Sequence, residues 1–159
     1  MLEDAVAALN IQPNSWYVDC TFGSGGHTKK LLSLGARVIA LDFDEQAVAA
    51  GNEAFAQELA DKKLYLVQEN FSELERVIAQ IQSQEPTLEI SGVLFDFGTS
   101  TLQLMSQTRG FSFEGDGPLD MRMDQRLGVQ AKDLLALIPE KQLCQLFFEM
   151  GGETDAKRI

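Results

Sequence analysis

Four features of the sequence contain residue types that could together bind one ligand. The first is a glycine-rich stretch at residues 19–27, and the second is Asp42. The third is Asn70 followed by Phe71, and the fourth is Asp96. Glycine is needed where a backbone takes a positive φ and approaches a ligand closely. A carboxylate accepts hydrogen bonds from two hydroxyl groups, and an aromatic ring can flank a planar base.

The glycine-rich stretch favours one class of nucleotide ligand over another. A dinucleotide fingerprint requires a further glycine at position 28, but that residue is Thr28. Asp19, ahead of Gly23, suits a ligand with a cationic amine, and Asp42 suits a ribose diol. S-adenosyl-L-methionine carries an ammonium, a carboxylate and a ribose diol. We therefore expect it, rather than NAD, to be the cofactor.

Plainer interpretations of the same residues stay open. A tight turn alone accounts for Gly23, Gly25 and Gly26. Asp42 can cap the next helix, and so can Asp44. His27 is the only histidine, and a histidine at the start of a helix is more often structural than catalytic. Phe71 is equally well explained as a core residue or as a wall of an adenine site.

The elements that must position these residues alternate along the chain. Short apolar runs typical of buried strands lie at residues 16–22, 38–41, 64–67 and 93–95. Helical spacing of apolar residues occurs at residues 2–9, 27–34, 46–59 and 74–81. This order predicts an α/β fold with a parallel sheet and helices on both faces. Ligands bind outside the carboxyl ends of such strands, where all four polar features fall.

Beyond Gly98 the pattern changes. Residues 99–130 are rich in polar residues and glycine without periodicity, which predicts a long loop. Two helices are predicted at residues 131–138 and 140–150, and residues 157–159 resemble the opening of another. Because that last pattern has no stop signal, we expect a truncated chain.

The composition is that of one ordinary globular domain, with 159 residues, 45% of them hydrophobic and 23% charged. No apolar run reaches the roughly 18 residues of a membrane helix. Cys20 and Cys144 are predicted free thiols in a reducing cytoplasm. The net charge of −11, without a basic stripe, by itself argues against a polyanionic partner.

Two stretches go beyond a generic cofactor-binding fold. Residues 96–104 and 109–124 resemble the bacterial 16S ribosomal RNA cytosine N4-methyltransferase family, which modifies the decoding centre of the small subunit. Residues 17–27 and 39–44 are similar to its two cofactor motifs. The resemblance extends to the last residue, although Thr99–Leu102 departs from the family's usual Val-Ser-Ser-Pro and the family's remaining sheet strands are absent.

The resemblance implies a Rossmann-like class I methyltransferase fold, present as the first half of its doubly wound sheet. Residues 1–104 would bind S-adenosyl-L-methionine, and residues 105–159 would be a loop and the start of an inserted helical, substrate-recognising domain. The family's cofactor contacts fall on Gly25, Gly26, His27, Asp42, Phe71, Asp96 and Gln103, to which the spacing adds Asp19 and Gly23. No metal is expected.

The implied reaction is methyl transfer to the exocyclic amine of a cytosine in 16S ribosomal RNA or the small subunit. Asp96 is our first choice for the group that accepts the amine N–H bonds, with Ser100 as its helper. Arg109, Arg122 and Arg126 either line the entrance and contact phosphates or form a salt-bridged clip with nearby acidic residues.

Two other functions stay open: a non-catalytic cofactor-binding or interaction module, and a methyltransferase of the same fold that acts on a protein or a small molecule. A four-stranded half-sheet would also expose its first or fourth strand as an edge. An exposed edge favours pairing with another chain, so a homodimer is possible.

Overall fold

A computed structural model describes residues 2–114 and 116–159, which divide between two compact units. The first unit comprises the chain up to Met105 together with Met123–Gln125. The second comprises Ser106–Arg122 and Arg126–Ile159. No helix of the described residues is long and apolar enough to cross a membrane.

The first unit alternates strands and helices. Its strands are β1 (Trp16–Asp19), β2 (Arg37–Asp42), β3 (Leu64–Gln68) and β4 (Ile90–Leu94). Its helices are α1 (Leu2–Ala8), α2 (Gly26–Ser33), α3 (Glu45–Ala54), α4 (Ala56–Ala60), α5 (Leu74–Gln82) and α6 (Thr101–Met105), with a 3₁₀ turn at Phe71–Glu73. The second unit contains α7 (Ala131–Leu137) and α8 (Glu140–Glu149).

The four strands form one parallel sheet in the order β3-β2-β1-β4. Val18 of β1 pairs with Ile39 of β2 on one side and with Val93 of β4 on the other. The predicted parallel α/β sheet is therefore confirmed. The alternative in which β1 is an open edge is wrong, because β2 and β4 flank it; the edges are β3 and β4.

The core lies on both faces of the sheet. One face buries Tyr17 and Val38 in a cluster with Leu31 of α2. The other buries Val18 and Ile39, in a second cluster. Consecutive residues of a strand point to opposite faces, so a strand covered on both sides is apolar throughout. This two-sided burial explains why short continuous apolar runs predicted the strands.

The predicted helix over residues 46–59 is divided in the structure. Phe55 leaves helical geometry, with φ −117° and ψ 27°, and separates α3 from α4. Its ring packs edge-on against Phe22, with 5.8 Å between the ring centroids. This contact comes from a distant part of the chain, so the helical periodicity did not predict the interruption.

Two further predictions are corrected. The predicted loop over residues 99–130 contains the short helix α6, whose first turn is tied by the bond from Leu104 N to Ser100 O at 3.0 Å. Residues 157–159 do not open a helix. Arg158 N donates to Asp155 O at 2.7 Å, which closes a turn.

Candidate functional site

A cavity of about 240 Å³ lies in the first unit, at the carboxyl ends of β1, β2 and β4. We call it the strand-end cavity. Its walls bring together six of the sequence-predicted cofactor residues: Gly23, Gly26, His27, Asp42, Asp96 and Gln103. Ser100, the predicted helper, also lines it. Polar residues from distant parts of the sequence thus meet at one edge of the sheet, as parallel strands require.

Gly23 and Asp42 join the first two strand ends. Gly23 has a φ of +54°, and its N–H donates to Asp42 Oδ2 at 2.7 Å. The other oxygen, Oδ1, accepts from Asp44 N at 2.9 Å. Burial raises the pKa of the Asp42 carboxyl above its ordinary value. Each carboxylate oxygen has a second lone pair, so Asp42 can still accept hydrogen bonds from hydroxyl groups of a ligand.

Asp19 lies beneath the cavity rather than on its wall. The side chain is fully buried, and its oxygens accept from Thr21 N at 3.2 Å and from Thr28 Oγ1 at 2.8 Å. Burial raises the pKa of the Asp19 carboxyl. These bonds tie the glycine-rich turn to α2. Contact between Asp19 and a cationic amine stays a prediction.

Gly25 also serves the turn, and it does not line the cavity. Its φ is +78°, a conformation that residues with a side chain rarely adopt. A Cβ at this position would lie 2.8 Å from Phe55 Cε2 and 2.9 Å from Phe22 Cζ. The interpretation of Gly25 as a turn residue therefore has direct support, whereas its predicted cofactor contact stays untested.

Aromatic rings lie beside the cavity. Phe71 packs edge-on against Phe95 and against Phe97, with 5.7 Å between centroids in both pairs. Phe95 and Phe97 are stacked at 5.4 Å. Phe97 lines the cavity and is 72% exposed, whereas Phe71 is partly buried behind it. Phe43 lines the cavity as well and was not predicted. Its position directly after Asp42 could have indicated it.

Asp96 presents its side chain at the end of β4. Its backbone N–H donates to Thr21 Oγ1 at 2.7 Å, a bond that sequence reasoning missed. The side chain of Asp96 is 55% exposed, and its Oδ2 lies 3.7 Å from His27 Nδ1. That distance is too long for a hydrogen bond, so the carboxylate is available to a ligand.

Gln103 is buried and bonded through both ends of its carboxamide. Its Oε1 accepts from Ser100 N, and its Nε2 donates to Asp44 Oδ2, each at 3.0 Å. Asp44 Oδ1 accepts from Gln46 N at 3.0 Å and so caps α3. The interpretation of Asp44 as a helix cap is confirmed.

In the second unit, Asp120 and Arg122 form a clip beside the buried Arg109. Asp120 accepts two hydrogen bonds from the Arg122 guanidinium, from Nε at 2.7 Å and from Nη2 at 2.8 Å. These bonds lower the pKa of Asp120 to about 2. Arg109 is 1% exposed, and its Nη2 donates to Arg122 O at 3.0 Å. The salt-bridged clip is thus the interpretation that the structure supports for Arg122, whereas Arg109 is buried and bonded to the backbone of the same segment.

The thiols and acidic groups show no metal-binding arrangement within residues 2–114 and 116–159. Cys20 and Cys144 are free thiols. Burial raises the pKa of the Cys20 thiol to about 12, so it stays protonated although it borders the cavity.

Comparison with known proteins assigns the family. All 159 residues match the MraW methylase family. The chain is 43% identical over its full length to ribosomal RNA small subunit methyltransferase H of Methylobacillus flagellatus, and 40% identical to that of Sphingopyxis alaskensis. A third relative of that name, from Alteromonas mediterranea, is 43% identical. The chain covers 48%, 47% and 50% of these proteins, about half of their length. The chain belongs to the MraW methylase family.

Proposed function

We propose that the chain is the cofactor-binding part of an S-adenosyl-L-methionine-dependent methyltransferase that modifies N4 of a cytosine in the decoding centre of 16S ribosomal RNA. The names of the relatives support the small-subunit RNA substrate, and the resemblance of residues 96–104 and 109–124 supports the cytosine. The observation that carries the proposal is the strand-end cavity, where the Gly23 turn, Asp42 and Asp96 meet.

The chemistry of the cavity fits the cofactor. Asp42 retains acceptor capacity for a ribose diol, and the Asp96 carboxylate is available to a cationic group. Phe43 and Phe97 line the cavity, and aromatic rings of this kind can pack against adenine. We assign the diol to Asp42 because a carboxylate at the second strand end is the usual ribose acceptor in nucleotide-binding α/β folds.

The protein supplies positioning and electrostatics. S-adenosyl-L-methionine, when bound, supplies a methyl group activated by the positive charge on its sulfur. The exocyclic amine of cytosine is a poor nucleophile because its lone pair is conjugated with the ring. Asp96 would accept the N–H bonds of that amine and so increase the electron density on its nitrogen. Transfer of the methyl group to that nitrogen would leave S-adenosylhomocysteine as the neutral thioether, and the surplus proton of the nitrogen would pass to solvent. The bond from Asp96 N to Thr21 Oγ1 fixes the backbone beneath this carboxylate, and Ser100 assists from the same loop.

The charge of the chain bears on the form in which RNA is bound. A net charge of −11 disfavours naked RNA, Asp120 engages the Arg122 guanidinium, and Arg109 is buried. Two explanations are open: a basic surface in the half of the relatives' length that this chain does not span, or an assembled small subunit recognised by shape. In either case the substrate is 16S ribosomal RNA or the small subunit, in the bacterial cytoplasm.

A chimera tests the activity directly. The matching half of the Methylobacillus flagellatus relative is replaced by this chain, and the product is incubated with tritiated cofactor and unmodified small subunits. Nucleoside mass spectrometry then identifies the methylated atom. We expect N4-methylcytidine at one site, and its loss in an Asp96→Ala chimera. A Glu75→Ala chimera, altered at an exposed residue of α5, is the matched control.

The other outcomes identify the alternatives. A folded chimera that binds S-adenosylhomocysteine but methylates nothing would favour a non-catalytic module. Methylation of a protein or a small molecule in an extract, without methylation of the subunit, would favour the third function. The acidic charge is the observation on which that third function rests.

A further inference from the structure

A second cavity, of about 350 Å³, lies in the first unit beside the strand-end cavity. Asp4 and Ala5 of α1 line it, together with Leu94–Asp96 at the end of β4 and with His27. We call it the α1 cavity. His27 and Asp96 line the strand-end cavity as well, so the two cavities share two wall residues. Its volume is within the range of small-molecule binding sites.

Helix α1 is fixed in its position beside the end of β4. Val6 is 2% exposed and belongs to the same core cluster as Leu31 of α2. Leu9, which follows α1, lies against Gly92 of β4, where a Cβ would come within 2.9 Å of Leu9 Cδ2. Because glycine leaves this space open, α1 approaches β4 closely and brings Asp4 to the wall of the α1 cavity.

The polar groups of the α1 cavity suit a base with an exocyclic amine. Asp4 and Asp96 carry carboxylates, which only accept hydrogen bonds when they are ionised. The exocyclic amine of cytosine has two N–H donors, one for each carboxylate, whereas uracil has a keto oxygen at the same place. A site that offers only acceptors there leaves the keto oxygen without a donor. Two carboxylates therefore discriminate cytosine from uracil.

We propose that the α1 cavity receives the target cytosine, and that Asp4 accepts one N–H of its exocyclic amine while Asp96 accepts the other. This inference rests on the proposed function. Methyl transfer requires the amine nitrogen to meet the cofactor, and the two cavities adjoin at His27 and Asp96. An unstacked base would enter the α1 cavity from the RNA. Asp4 is thus a specificity residue for the base, and it adds a hydrogen bond but no chemical step.

Nuclear magnetic resonance of the ¹⁵N-labelled chain, saturated with S-adenosylhomocysteine, tests the inference with cytidine and uridine as probes. We expect cytidine to shift the amide signals of Ala5 and Phe95, and to bind at least about tenfold more tightly than uridine. In Asp4→Asn this preference should fall at least about threefold, because a carboxamide can donate to the keto oxygen of uridine. Asp4→Glu keeps a carboxylate and should retain the preference.

Two controls separate base recognition from other effects of the substitution. Glu53→Gln removes one negative charge at an exposed position of α3, and it should keep the wild-type preference. Calorimetric titration of Asp4→Asn with S-adenosylhomocysteine should give the wild-type affinity, since Asp4 lines the α1 cavity and not the strand-end cavity.

Four results would overturn the inference. If cytidine shifts neither the Ala5 nor the Phe95 amide, the base binds elsewhere, although binding of S-adenosylhomocysteine would still support the proposed function. An equal preference in the wild type and in Asp4→Asn would remove Asp4 from base recognition. Weaker binding of S-adenosylhomocysteine by Asp4→Asn would assign Asp4 to the cofactor site instead. Absence of S-adenosylhomocysteine binding by the folded wild type would overturn the proposed function together with this inference. If Asp4→Asn fails to fold, the wild-type preference and that of Asp4→Glu decide.

Discussion

The two units of the chain bury different kinds of side chain. In the first, the sheet buries apolar residues on both faces, and Val18, Ile39 and Leu41 are fully buried. In the second, the buried residues are Arg109, Asp120 and Ala156, of which only Ala156 is apolar, among the residues that the structure describes. Hydrophobic burial thus organises the first unit, whereas hydrogen bonds and ion pairs organise the second.

This difference determines which charges remain for ligands. In the first unit the apolar core forms without the strand-end carboxylates, so Asp42 and Asp96 are available to bind. In the second unit Asp120 and Arg122 are used by the fold itself. A run of acids and arginines is therefore a poor guide to an RNA-binding surface until its internal pairs are known.

The largest expected effect comes from removal of the centre of the clip. Asp120→Ala removes the carboxylate that accepts from the Arg122 guanidinium, and with it the bond from Gln130 Nε2 at 3.0 Å. Asp120 is buried, so its removal takes away a carboxylate that accepts hydrogen bonds from two side chains of the second unit and should destabilise that unit. We expect faster hydrogen exchange in residues 106–122 and 126–159, measured by mass spectrometry.

The matched control for this substitution is Asp116→Ala, at an exposed position of the same loop. It is expected to change exchange very little. Equal effects of Asp116→Ala and Asp120→Ala would contradict the view that the clip organises the second unit.

Truncation of an apolar side chain should destabilise the first unit much more than the second. Ile39→Ala removes a fully buried side chain between the sheet and α5, and such changes cost about 2–5 kcal/mol. Leu137→Ala, at a residue of α7 that is 78% exposed, is expected to change stability by less than about 0.5 kcal/mol. Thermal unfolding followed by the fluorescence of Trp16 measures the first unit. A comparable loss from both variants would refute the assignment of the apolar core to the first unit.

Lowering the pH should have a smaller effect on stability, and one that differs between the two units. The pKa of Asp120 is lowered from 3.8 to about 2, so its stabilisation is complete above about pH 4 and is lost as the pH falls toward 2. Burial raises the pKa of Asp19 and of Asp42, so protonation of these carboxyls favours the folded first unit. Between about pH 4 and 2 we expect exchange in the second unit to increase first, after correction for intrinsic rates. If the Trp16 fluorescence of the first unit changed at a higher pH than hydrogen exchange in the second unit, the expected order of the two units would be contradicted.

The strands of the first unit were predictable because each depends on the apolar character of a few consecutive residues. Short apolar runs predicted all four strands, since both faces of the sheet are covered. The end of α3 was not predictable, because Phe55 leaves the helix to meet Phe22, which is far away in sequence. The position of β1 inside the sheet also depends on which strands pair, and single strands do not encode that order.

The site was predictable to the extent that it follows from strand ends. Asp42 and Gly23 were expected near each other, and they are hydrogen-bonded. The bond between Gln103 and Asp44 joins residues 59 positions apart, and that between Asp96 and Thr21 joins residues 75 positions apart. No local pattern contains such pairs. The sequence equally left open whether the arginines of the second unit bind phosphates or pair internally.

The most direct test of the central claim is calorimetric titration of the chain with S-adenosylhomocysteine, for the wild type and for Asp42→Ala. We predict binding by the wild type and a loss of at least about a hundredfold in Asp42→Ala, because two charge-assisted bonds to the ribose are removed. Glu53→Ala, at an exposed position of α3, should bind as the wild type does. Unchanged affinity in a folded Asp42→Ala variant, or no binding by the folded wild type, would contradict the assignment of the strand-end cavity as the cofactor site.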